Sequence, residues 1–462
     1  MERASVVGTV ALSSTGPAEH IVVDSACSAT QLATGEPTLS EVIGIGVDGE
    51  AIPTILERAR DSGRVTGLVT DTRLTHATPA AFAAHVAHRS MENEIAADLL
   101  GERVDLLLGG GARHFAGRSS VAAASDPAQL SAGAFAVTSR RGDDRDLLEE
   151  AQAAGYALVF DHRALAAVPR LPVLGLFADS AMEDGITAAR RAADPTRTEP
   201  TLREMTEAAL RLLESHPEGF FLMVEGGQID WAGHDNDPGM LLREMLRFDD
   251  AIDVVLAWAE GRDDTLVVIT ADHETGGFSF TYSGYDVPTP EPRSGRAFLE
   301  RPYHPNFNFV SFDVFDLLMG QTVTMRQLFE VFDAREDRTP EVLVEVVQDL
   351  TDYRLTEEQA ARVLERAPNP LRVEGHAYLA NEEGPHMAEA SPFYPYGEAS
   401  IIALLSRALA TQLHITWSTG THTHTPVPVI VVGPEAHRRP FDRLLHHVEV
   451  GVLMQRAMGL RP

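Results

Sequence analysis

Short apolar stretches of strand length alternate with helical stretches along the first 280 residues, and this alternation restricts the possible folds more than any other feature of the sequence. Six apolar stretches stand out: Val65–Val69, Val104–Leu108, Ala157–Phe160, Phe220–Val224, Thr265–Ile269 and, later, Val427–Val432. Strands that are apolar throughout and are separated by helices are typical of a parallel sheet covered on both faces. The alternation therefore predicts an α/β fold with a largely parallel central sheet and helices on both faces.

The stretches between these strands have the apolar periodicity of amphipathic helices. The helices that we predict from them are Ala51–Asp61, Pro79–Arg89, Met91–Leu100, Asp146–Ala153, Thr201–Ser215 and Met240–Glu260. In the second of these, a proline near the first turn supports the predicted helix start.

The pattern changes in the second half of the chain. Residues 281–398 are rich in proline and aromatic residues and then contain charged helical stretches such as Thr356–Glu365. The α/β pattern resumes with a helix over Ser400–Leu413. We therefore predict one α/β domain formed by residues 1–280 and 399–462, interrupted by an inserted region at 281–398.

The composition excludes several classes of protein. The formal net charge is −30, which argues against general nucleic-acid binding because such proteins usually present a basic face. No apolar run approaches the ~20 residues needed to cross a bilayer, so we expect no membrane span, and from the first residues as written we expect no signal peptide. The single cysteine, Cys27, excludes an internal disulfide and a cysteine-cluster metal site. The absence of lysine excludes Schiff-base chemistry.

Carboxylates and a histidine follow one of the predicted strands. In the segment FLMVEGGQIDWAGHDND the strand ends at Glu225, and Asp230 and His234 come afterwards at i and i+4. If that stretch is helical, the last two side chains share one face. Aspartate with histidine is a normal ligand set for zinc, whereas a lone carboxylate such as Glu225 suits a harder ion. The alternative interpretation is a surface loop of solvated acids.

Histidines lie beside two further strands. The segment VVITADHETGG runs directly into Asp272 and His273, and STGTHTHTPVPV places His422 and His424 just before another strand. Polar side chains beside an apolar strand cost free energy unless they are paired or bind a ligand. The alternatives are a polar loop for the first pair and surface histidines for the second. Because ligands bind outside the carboxyl ends of parallel strands, we expect these motifs to lie at one edge of the sheet.

A serine opens a helix of small residues near the start of the chain. In IVVDSACSATQLATG, Ser25 follows Asp24, and the predicted helix runs over Ala26–Thr34. The positive end of a helix dipole favours an alkoxide or a bound phosphate at such a serine. The alternative is plain N-capping, which aspartate and serine perform routinely. Cys27 is a competing nucleophile, but its place in the first turn favours a small buried side chain.

The segment TDTRLTHATPAAFAAHVAHR contains a candidate phosphate ligand. His76 and Thr78 lie at a loop-to-helix junction, and Arg89 follows on the helix predicted from Pro79. A guanidinium fork recognises phosphate bidentately, and the alternative role is a surface salt bridge. A serine, an arginine, two Asp/His pairs and a late histidine are together what a two-metal phosphoryl-transfer site requires.

Taken in order, five segments resemble the alkaline phosphatase family: DSACSATQLATG, THATPAAFAAH with Arg89, VEGGQIDWAGH, TADHETGG and STGTHTHTPVPV. The resemblance implies an alkaline phosphatase-like fold and hydrolysis of a broad range of small-molecule phosphomonoesters through a phosphoserine intermediate. It also implies two Zn²⁺ sites, one Mg²⁺ site, a homodimer, and a periplasmic or extracellular location.

The resemblance gives each matching position an expected role. Ser25 would be the nucleophile, and Arg89 would bind the non-bridging phosphate oxygens. The expected metal ligands are Asp230, His234 and His422 for the first zinc, Asp272 and His273 with Ser25 for the second, and Glu225 and Thr78 with His76 beside them for the magnesium-type site. We prefer His422 to His424 because the family's late histidine lies five residues before the VPV strand. His76 stands where some members have aspartate, which favours zinc over magnesium in the third site.

One departure from the family bears on the metals. The family usually has an N-terminal strand that ends in a Gly-Asp-Gly-Met-like turn, whose aspartate bridges the second zinc and the third site, and no such segment precedes Ser25. The sequence therefore resembles a member without its first strand and one ligand, through truncation or through loss. We expect the chain to bind one zinc tightly and the second weakly.

Two alternative functions stay open from the sequence. One is a phosphodiesterase or sulfatase-like hydrolase on the same scaffold. The other is an inactive homologue that binds phosphate or metal without turnover.

Overall fold

The computed structural model describes residues 1–460. The strands are β1 (Thr9–Ser14), β2 (Val65–Arg73), β3 (Leu106–Gly110), β4 (Ala157–Val159), β5 (Val173–Leu176), β6 (Phe220–Glu225), β7 (Val267–Thr270), β8 (Glu274–Thr275), β9 (Ser279–Phe280), β10 (Arg366–Pro368), β11 (Glu383–Pro385), β12 (Ile415–Thr416), β13 (His422–Thr423), β14 (Val427–Val432) and β15 (Leu444–His446). The helices are α1 (Glu2–Val7), α2 (Ser25–Thr34), α3 (Ile55–Asp61), α4 (Ala77–Ala80), α5 (Glu92–Gly101), α6 (Arg118–Ala123), α7 (Leu147–Ala153), α8 (His162–Ala167), α9 (Gly185–Arg191), α10 (Leu202–Leu213), α11 (Gln228–His234), α12 (Pro238–Ala259), α13 (Asp313–Gly320), α14 (Met325–Asp333), α15 (Pro340–Leu350), α16 (Glu357–Leu364), α17 (Ser400–Ala410), α18 (Glu435–Arg438) and α19 (His447–Ala457).

The described chain divides into two compact units. Unit 1 comprises Met1–Gln228, Glu244–Glu274 and the chain from Thr423 onwards, and unit 2 comprises Ile229–Arg243 and Thr275–His422. The inserted region predicted at 281–398 lies inside unit 2, and its bounds as a separate domain stay a prediction.

A five-stranded parallel sheet forms the centre of unit 1. Its strand order is β4-β5-β3-β2-β6, and every neighbouring pair is parallel. β2 pairs with β6 in a register that sets Thr70 opposite Glu225, so the carboxyl ends of these two strands lie side by side. This register brings together the two segments that carry the expected ligands of the magnesium-type site.

Helices cover both faces of this sheet. On one face, Leu68 and Leu107 pack in a buried cluster with residues of α2, α3 and α5. On the other face, Val69 and Leu108 pack with residues of α10. Successive strand residues therefore enter two different cores, which is why the strands are apolar throughout. The predicted α/β class with a parallel sheet and helices on both faces is confirmed.

A second sheet of unit 1 contains a strand that the sequence analysis did not predict. Its order is β15-β1-β14-β7, in which β1 is antiparallel to β14 and parallel to β15. β1 precedes Ser25 and ends in Ser13 and Ser14, and it carries no carboxylate. Among the described residues before Ser25, a strand is therefore present, but it does not supply the aspartate of the Gly-Asp-Gly-Met-like turn.

The predicted helix Pro79–Arg89 is wrong, because helical structure ends with α4. Val86 instead forms an antiparallel bridge with Ile43, and the backbone N–H of Arg89 donates to the carbonyl of Glu41 at 2.9 Å. These backbone groups therefore bond to a different segment of the chain, and tertiary pairing overrides the local helical pattern. Arg89 lies in a turn rather than on a helix.

Unit 2 has its own hydrophobic core. Residues of α13 to α17 pack around side chains such as Leu328, Leu343 and Leu405, which are fully buried. Within residues 1–460 we find no helix with both the length and the apolar character that a bilayer crossing requires.

Candidate active site

Ser25 is the first residue of α2, and Asp24 is the N-cap. The Asp24 carboxylate accepts hydrogen bonds from the backbone N–H groups of Ala26 (3.0 Å) and Cys27 (3.3 Å), which satisfies two of the free donors at the helix start. The predicted N-capping therefore occurs, and Asp24 rather than Ser25 performs it. The Ser25 hydroxyl is left for another role and lies at the positive end of the helix dipole.

The turn after β7 brings a histidine and an aspartate to Ser25. Oγ of Ser25 lies 3.0 Å from Nε2 of His273, and the same ring nitrogen lies 3.1 Å from Oδ2 of Asp272. Both Ser25 and His273 are buried. A hydroxyl and a carboxylate oxygen that both lie within hydrogen-bond distance of one imidazole nitrogen form a donor set that suits a zinc ion.

Glu225 ends β6, and its carboxylate contacts the hydroxyls of Thr70, Thr72 and Thr78. Oγ1 of Thr70, on the neighbouring β2, donates to Oε2 of Glu225 at 2.6 Å, and the Thr78 hydroxyl also bonds this carboxylate. Removal from water is the largest cause that raises the pKa of Glu225, to about 8. The negative charges of Asp71 and Asp272 raise this pKa further, and the hydroxyls of Thr70 and Thr78 lower it. Three carboxylates this close would be stabilised by a cation, so the group fits a divalent metal ion.

Arg89 is tied to the N-cap of α2. Its Nη1 donates to Oδ2 of Asp24 at 3.0 Å, and its Nη2 lies 3.3 Å from Nε2 of His76. The guanidinium therefore sits beside the helix start that carries Ser25. The alternative salt-bridge role of Arg89 is also realised, but the carboxylate that it pairs with is the N-cap next to the serine.

The remaining predicted zinc ligands meet in unit 2. Oδ2 of Asp230 lies 3.3 Å from Nε2 of His234, and Oδ1 lies 3.4 Å from Nε2 of His422. These two ring nitrogens are 3.2 Å apart. Burial alone would raise the pKa of Asp230, but the two imidazoles outweigh it and hold this pKa well below its usual range. The predicted i, i+4 placement of Asp230 and His234 on one helix is found in α11.

The geometry of this group fits a zinc ion. Nδ1 of His234 lies 2.7 Å from the carbonyl oxygen of Gly420, and because a carbonyl only accepts, Nδ1 carries the proton and Nε2 presents its lone pair. Two nitrogens bound to one tetrahedral zinc at about 2.0–2.1 Å lie about 3.3 Å apart, close to the separation of the His234 and His422 nitrogens. The donor set of Asp230, His234 and His422 therefore matches a zinc site without rearrangement.

The contacts described above involve three sets of predicted residues. Ser25, Asp272, His273, Glu225 and Thr78 gather in unit 1, where Arg89 and His76 lie beside Asp24, and Asp230, His234 and His422 gather in unit 2. The histidine that was not preferred, His424, is exposed and lies near Gly16 instead. The sequence analysis missed Thr70, because only the register of β2 with β6 sets it opposite Glu225.

Comparisons with known proteins bear on the family and the fold of this chain. The family model described as alkaline phosphatase matches residues 2–458. The protein named alkaline phosphatase 3 from Bacillus subtilis (strain 168) is 38% identical over 272 residues, which cover 58% of this chain and 52% of that protein. Streptomycin-6-phosphate phosphatase from Streptomyces griseus is 39% identical over 292 residues, which cover 54% of this chain and 61% of that protein. The crystal structure of Thermus thermophilus alkaline phosphatase covers 100% of this chain and 85% of its own, with a TM-score of 0.76 and 26% identity.

The extent of the match differs between these comparisons. The chain spans only about half to three-fifths of the length of the two curated relatives, whereas the family model extends over almost all of this chain. The solved structure has the same fold over the whole chain. With the family model matched from residue 2 to residue 458, the chain belongs to the alkaline phosphatase family.

Proposed function

We propose that this chain hydrolyses phosphomonoesters through a phosphoserine intermediate on Ser25. The observation that carries the proposal is the position of the Ser25 hydroxyl, 3.0 Å from His273 and at the start of α2, with Arg89 anchored on the N-cap of the same helix. Family membership supports the reaction class.

Two residues of unit 1 would act in the first chemical step, Ser25 as the nucleophile and Arg89 as the phosphate ligand. The Ser25 hydroxyl gives up its proton to solvent and Oγ attacks phosphorus. The bond from phosphorus to the ester oxygen then breaks, and the leaving oxygen takes a proton from solvent and departs as the alcohol while phosphoserine forms. The positive end of α2 favours the alkoxide form of Ser25. The Arg89 guanidinium offers its planar donors to the non-bridging oxygens, where charge is spread in the transition state. Water then attacks the phosphoserine, releasing phosphate and restoring the hydroxyl.

Three ligand sets would hold the metal ions that we propose for this reaction. Asp230, His234 and His422 would hold one zinc, Asp272 and His273 would hold a second beside Ser25, and Glu225 and Thr78 would hold a magnesium-type ion with His76 close by. A bound divalent ion lowers the pKa of a coordinated hydroxyl or water and offsets charge on phosphoryl oxygens. We keep the expectation of one tightly and one weakly bound zinc, because β1, the strand before Ser25, carries no carboxylate.

Hydrolysis of p-nitrophenyl phosphate at alkaline pH tests the proposal. We would compare the chain with added zinc and magnesium, the chain with chelator, the variant Ser25→Ala, and Ser125→Ala as an exposed control serine. Metal-dependent turnover that falls about 1,000-fold or more in Ser25→Ala, and not in the control, is the expected result. Turnover that survives in Ser25→Ala would reject Ser25 as the nucleophile.

The same assay separates the alternative functions. A diester and a sulfate ester, run beside the monoester, distinguish a phosphodiesterase or a sulfatase-like hydrolase from a phosphomonoesterase. The absence of a carboxylate on β1 favours the inactive homologue as a second candidate. Tight binding of inorganic phosphate at saturating zinc without turnover would support that candidate.

Three further properties are proposed from family membership alone. They are a broad range of small phosphomonoester substrates, a homodimer, and a periplasmic or extracellular location. A substrate panel that includes a phosphorylated aminoglycoside, light scattering in solution, and fractionation of the source cells test them in turn.

A further inference from the structure

A completely buried histidine, His447, contacts the turn that carries two of the proposed zinc ligands. It is the first residue of α19 and has no solvent-exposed surface. Its Nε2 lies 3.1 Å from the carbonyl oxygen of Ala271 and 3.0 Å from that of Asp272. Its Nδ1 lies 2.8 Å from Oγ of Ser13 on β1.

These contacts select one tautomer of His447. Carbonyl oxygens only accept hydrogen bonds, so Nε2 carries the proton and donates to Ala271 and Asp272. Nδ1 then presents its lone pair, and the hydroxyl of Ser13 can donate to it. Every polar atom of the ring is therefore engaged, which is the condition under which a buried polar side chain stabilises one local geometry.

A second side chain, Ser28 on α2, also bonds the carbonyl oxygen of Asp272. Oγ of Ser28 donates to the carbonyl oxygen of Asp272 at 2.6 Å, and Ser28 lies on α2 three residues after Ser25. The carbonyl of Asp272 is thus held between the helix of the nucleophile and α19. We call His447 and Ser28 the carbonyl clamp.

We propose that His447 is a positioning residue that, through the carbonyl clamp, fixes the turn after β7 so that Asp272 and His273 keep their ligand atoms directed at Ser25. The proposal rests on the proposed function, because it assigns that turn to the second metal site. Groups that orient metal ligands act on affinity without touching the ion, and their loss typically costs about 10- to 100-fold in metal affinity or activity. The clamp differs in that it holds the backbone of the ligand segment rather than a ligand side chain.

The test compares two variants of His447 that differ in whether their side-chain amide can bond the carbonyl oxygens of Ala271 and Asp272. The amide nitrogen of Gln at position 447 falls near the place of Nε2, so His447→Gln keeps a donor for the carbonyls. His447→Asn is also polar, but its amide reaches only the place of Nδ1. Zinc affinity is measured by competition with a chromogenic chelator in the Asp230→Asn background, which weakens the other zinc site and leaves the second site as the main one.

The expected result is a loss of about 10- to 100-fold in second-site zinc affinity for His447→Asn, and less than about threefold for His447→Gln. In the chain with Asp230 intact, the affinity of the first site stays unchanged in both variants. Equal affinity in all variants would overturn the proposal. A parallel loss at both sites together with a lower melting temperature would also overturn it, because that pattern describes general destabilisation.

If His447→Asn does not fold, Ser28→Ala tests the clamp from its other side, with the same criteria. The zinc measurement also separates this proposal from the proposed function. A chain without phosphatase turnover that still shows the selective loss of zinc affinity keeps the clamp and rejects the catalytic role. Turnover that disappears in Ser25→Ala, combined with unchanged zinc affinity in the clamp variants, keeps the proposed function and rejects the carbonyl clamp.

Discussion

Arg89 donates from Nη1 to Oδ2 of Asp24, the same carboxylate oxygen that accepts the backbone N–H of Ala26 at the start of α2. The other oxygen of Asp24 accepts the N–H groups of Cys27 and Glu41. One side chain therefore caps the helix of Ser25 and places the guanidinium next to it. The position of Arg89 relative to Ser25 therefore depends directly on the contacts of the Asp24 carboxylate.

Replacing Arg89 by alanine should lower kcat/KM for a phosphomonoester about 100-fold, because the planar donors to the non-bridging oxygens are lost. Arg89→Lys keeps the charge but not the fork, so it should recover only part of the loss. Inorganic phosphate should inhibit both variants more weakly. Steady-state kinetics with phosphate as a competitive inhibitor measure all three effects.

Arg203, on α10, provides a matched control for this prediction. It pairs with Glu207 at i, i+4 and is half-exposed, so Arg203→Ala should leave the kinetics unchanged. If Arg89→Ala retained phosphate inhibition at the strength of the original chain, the role of Arg89 as a phosphate ligand would be excluded.

The parts of the fold that could be predicted from the sequence were those with strong local signals. β14 has the predicted bounds, Val427–Val432, because its side chains are almost all apolar and its partners bury them. β1 was missed because its buried positions are Thr9, Ala11 and Ser13, which give only a weak apolar signal. β5 was also missed; its four residues include Gly175, which weakens the strand signal.

The site residues that could be predicted are those beside a strand end, and those that reach the site from distant parts of the chain could not be predicted. Glu225 could be found from the sequence because it ends a parallel strand, and ligands bind outside the carboxyl ends of such strands. Asp272 was found from its place after β7, but the expectation of one shared parallel sheet was wrong, because β7 lies in the second sheet and is antiparallel to β14. Thr70, Ser28 and His447 could not be found in this way, because they reach the site across 155, 244 and 175 residues of sequence and only the tertiary fold brings them there.

The two neighbouring late histidines should differ sharply in zinc binding. His422→Gln removes a nitrogen that lies 3.4 Å from Oδ1 of Asp230, so the affinity of the first zinc should fall at least about tenfold. His424→Gln should leave it unchanged, because His424 is exposed and lies near Gly16. Zinc titration monitored by chelator competition compares the two variants, which change the same residue type two positions apart.

Equal zinc affinities in the two variants would mean that His422 is not a ligand. A loss in His424→Gln alone would reverse the choice between the two histidines. Asp349→Asn, an exposed carboxylate change in unit 2, controls for the effect of charge on zinc binding.

The half-buried pair of His85 and Glu57 should make stability depend on pH. The hydrogen bond that Nε2 of His85 donates to the Glu57 carboxylate is the largest cause that raises the pKa of His85, from 6.5 to about 8, with burial acting against it. The folded state thus binds this proton more tightly than the unfolded state. Its contribution is complete below pH 6.5 and is lost as the pH rises through about 8.

A shift of that size corresponds to about 2 kcal/mol of unfolding free energy. The destabilisation caused by His85→Asn should therefore be about 2 kcal/mol larger at pH 6 than at pH 9.5, as measured by urea denaturation of the metal-free chain. Glu57→Gln keeps the capping box that Glu57 forms with Thr54 and should remove the same pH dependence. Equal destabilisation by His85→Asn at the two pH values would show that the pair does not hold the extra proton.

Gly110 and Gly101 should respond in opposite ways to the same added methyl group. A Cβ on Gly110, the last residue of β3, would lie 2.1 Å from the carbonyl oxygen of Ser180 and 2.9 Å from that of Thr72. Both obstacles are backbone atoms and cannot rotate away, so Gly110→Ala should cost about 3 kcal/mol. A Cβ on Gly101, at the end of α5, meets no atom within 4 Å, so Gly101→Ala should stabilise the chain by up to about 1 kcal/mol.

Gly110→Ala should also weaken binding at the proposed magnesium-type site. Thr72 would have to move to make room, and its Oγ1 lies 2.8 Å from that of Thr70, which donates to Glu225. Gly110→Ala is therefore expected to weaken magnesium binding as well as stability, whereas Gly101→Ala should leave magnesium binding unchanged. Denaturation curves and magnesium titrations of the two variants measure both effects. Unaltered stability in Gly110→Ala would mean that the ends of β2 and β3 are more loosely packed than these distances require.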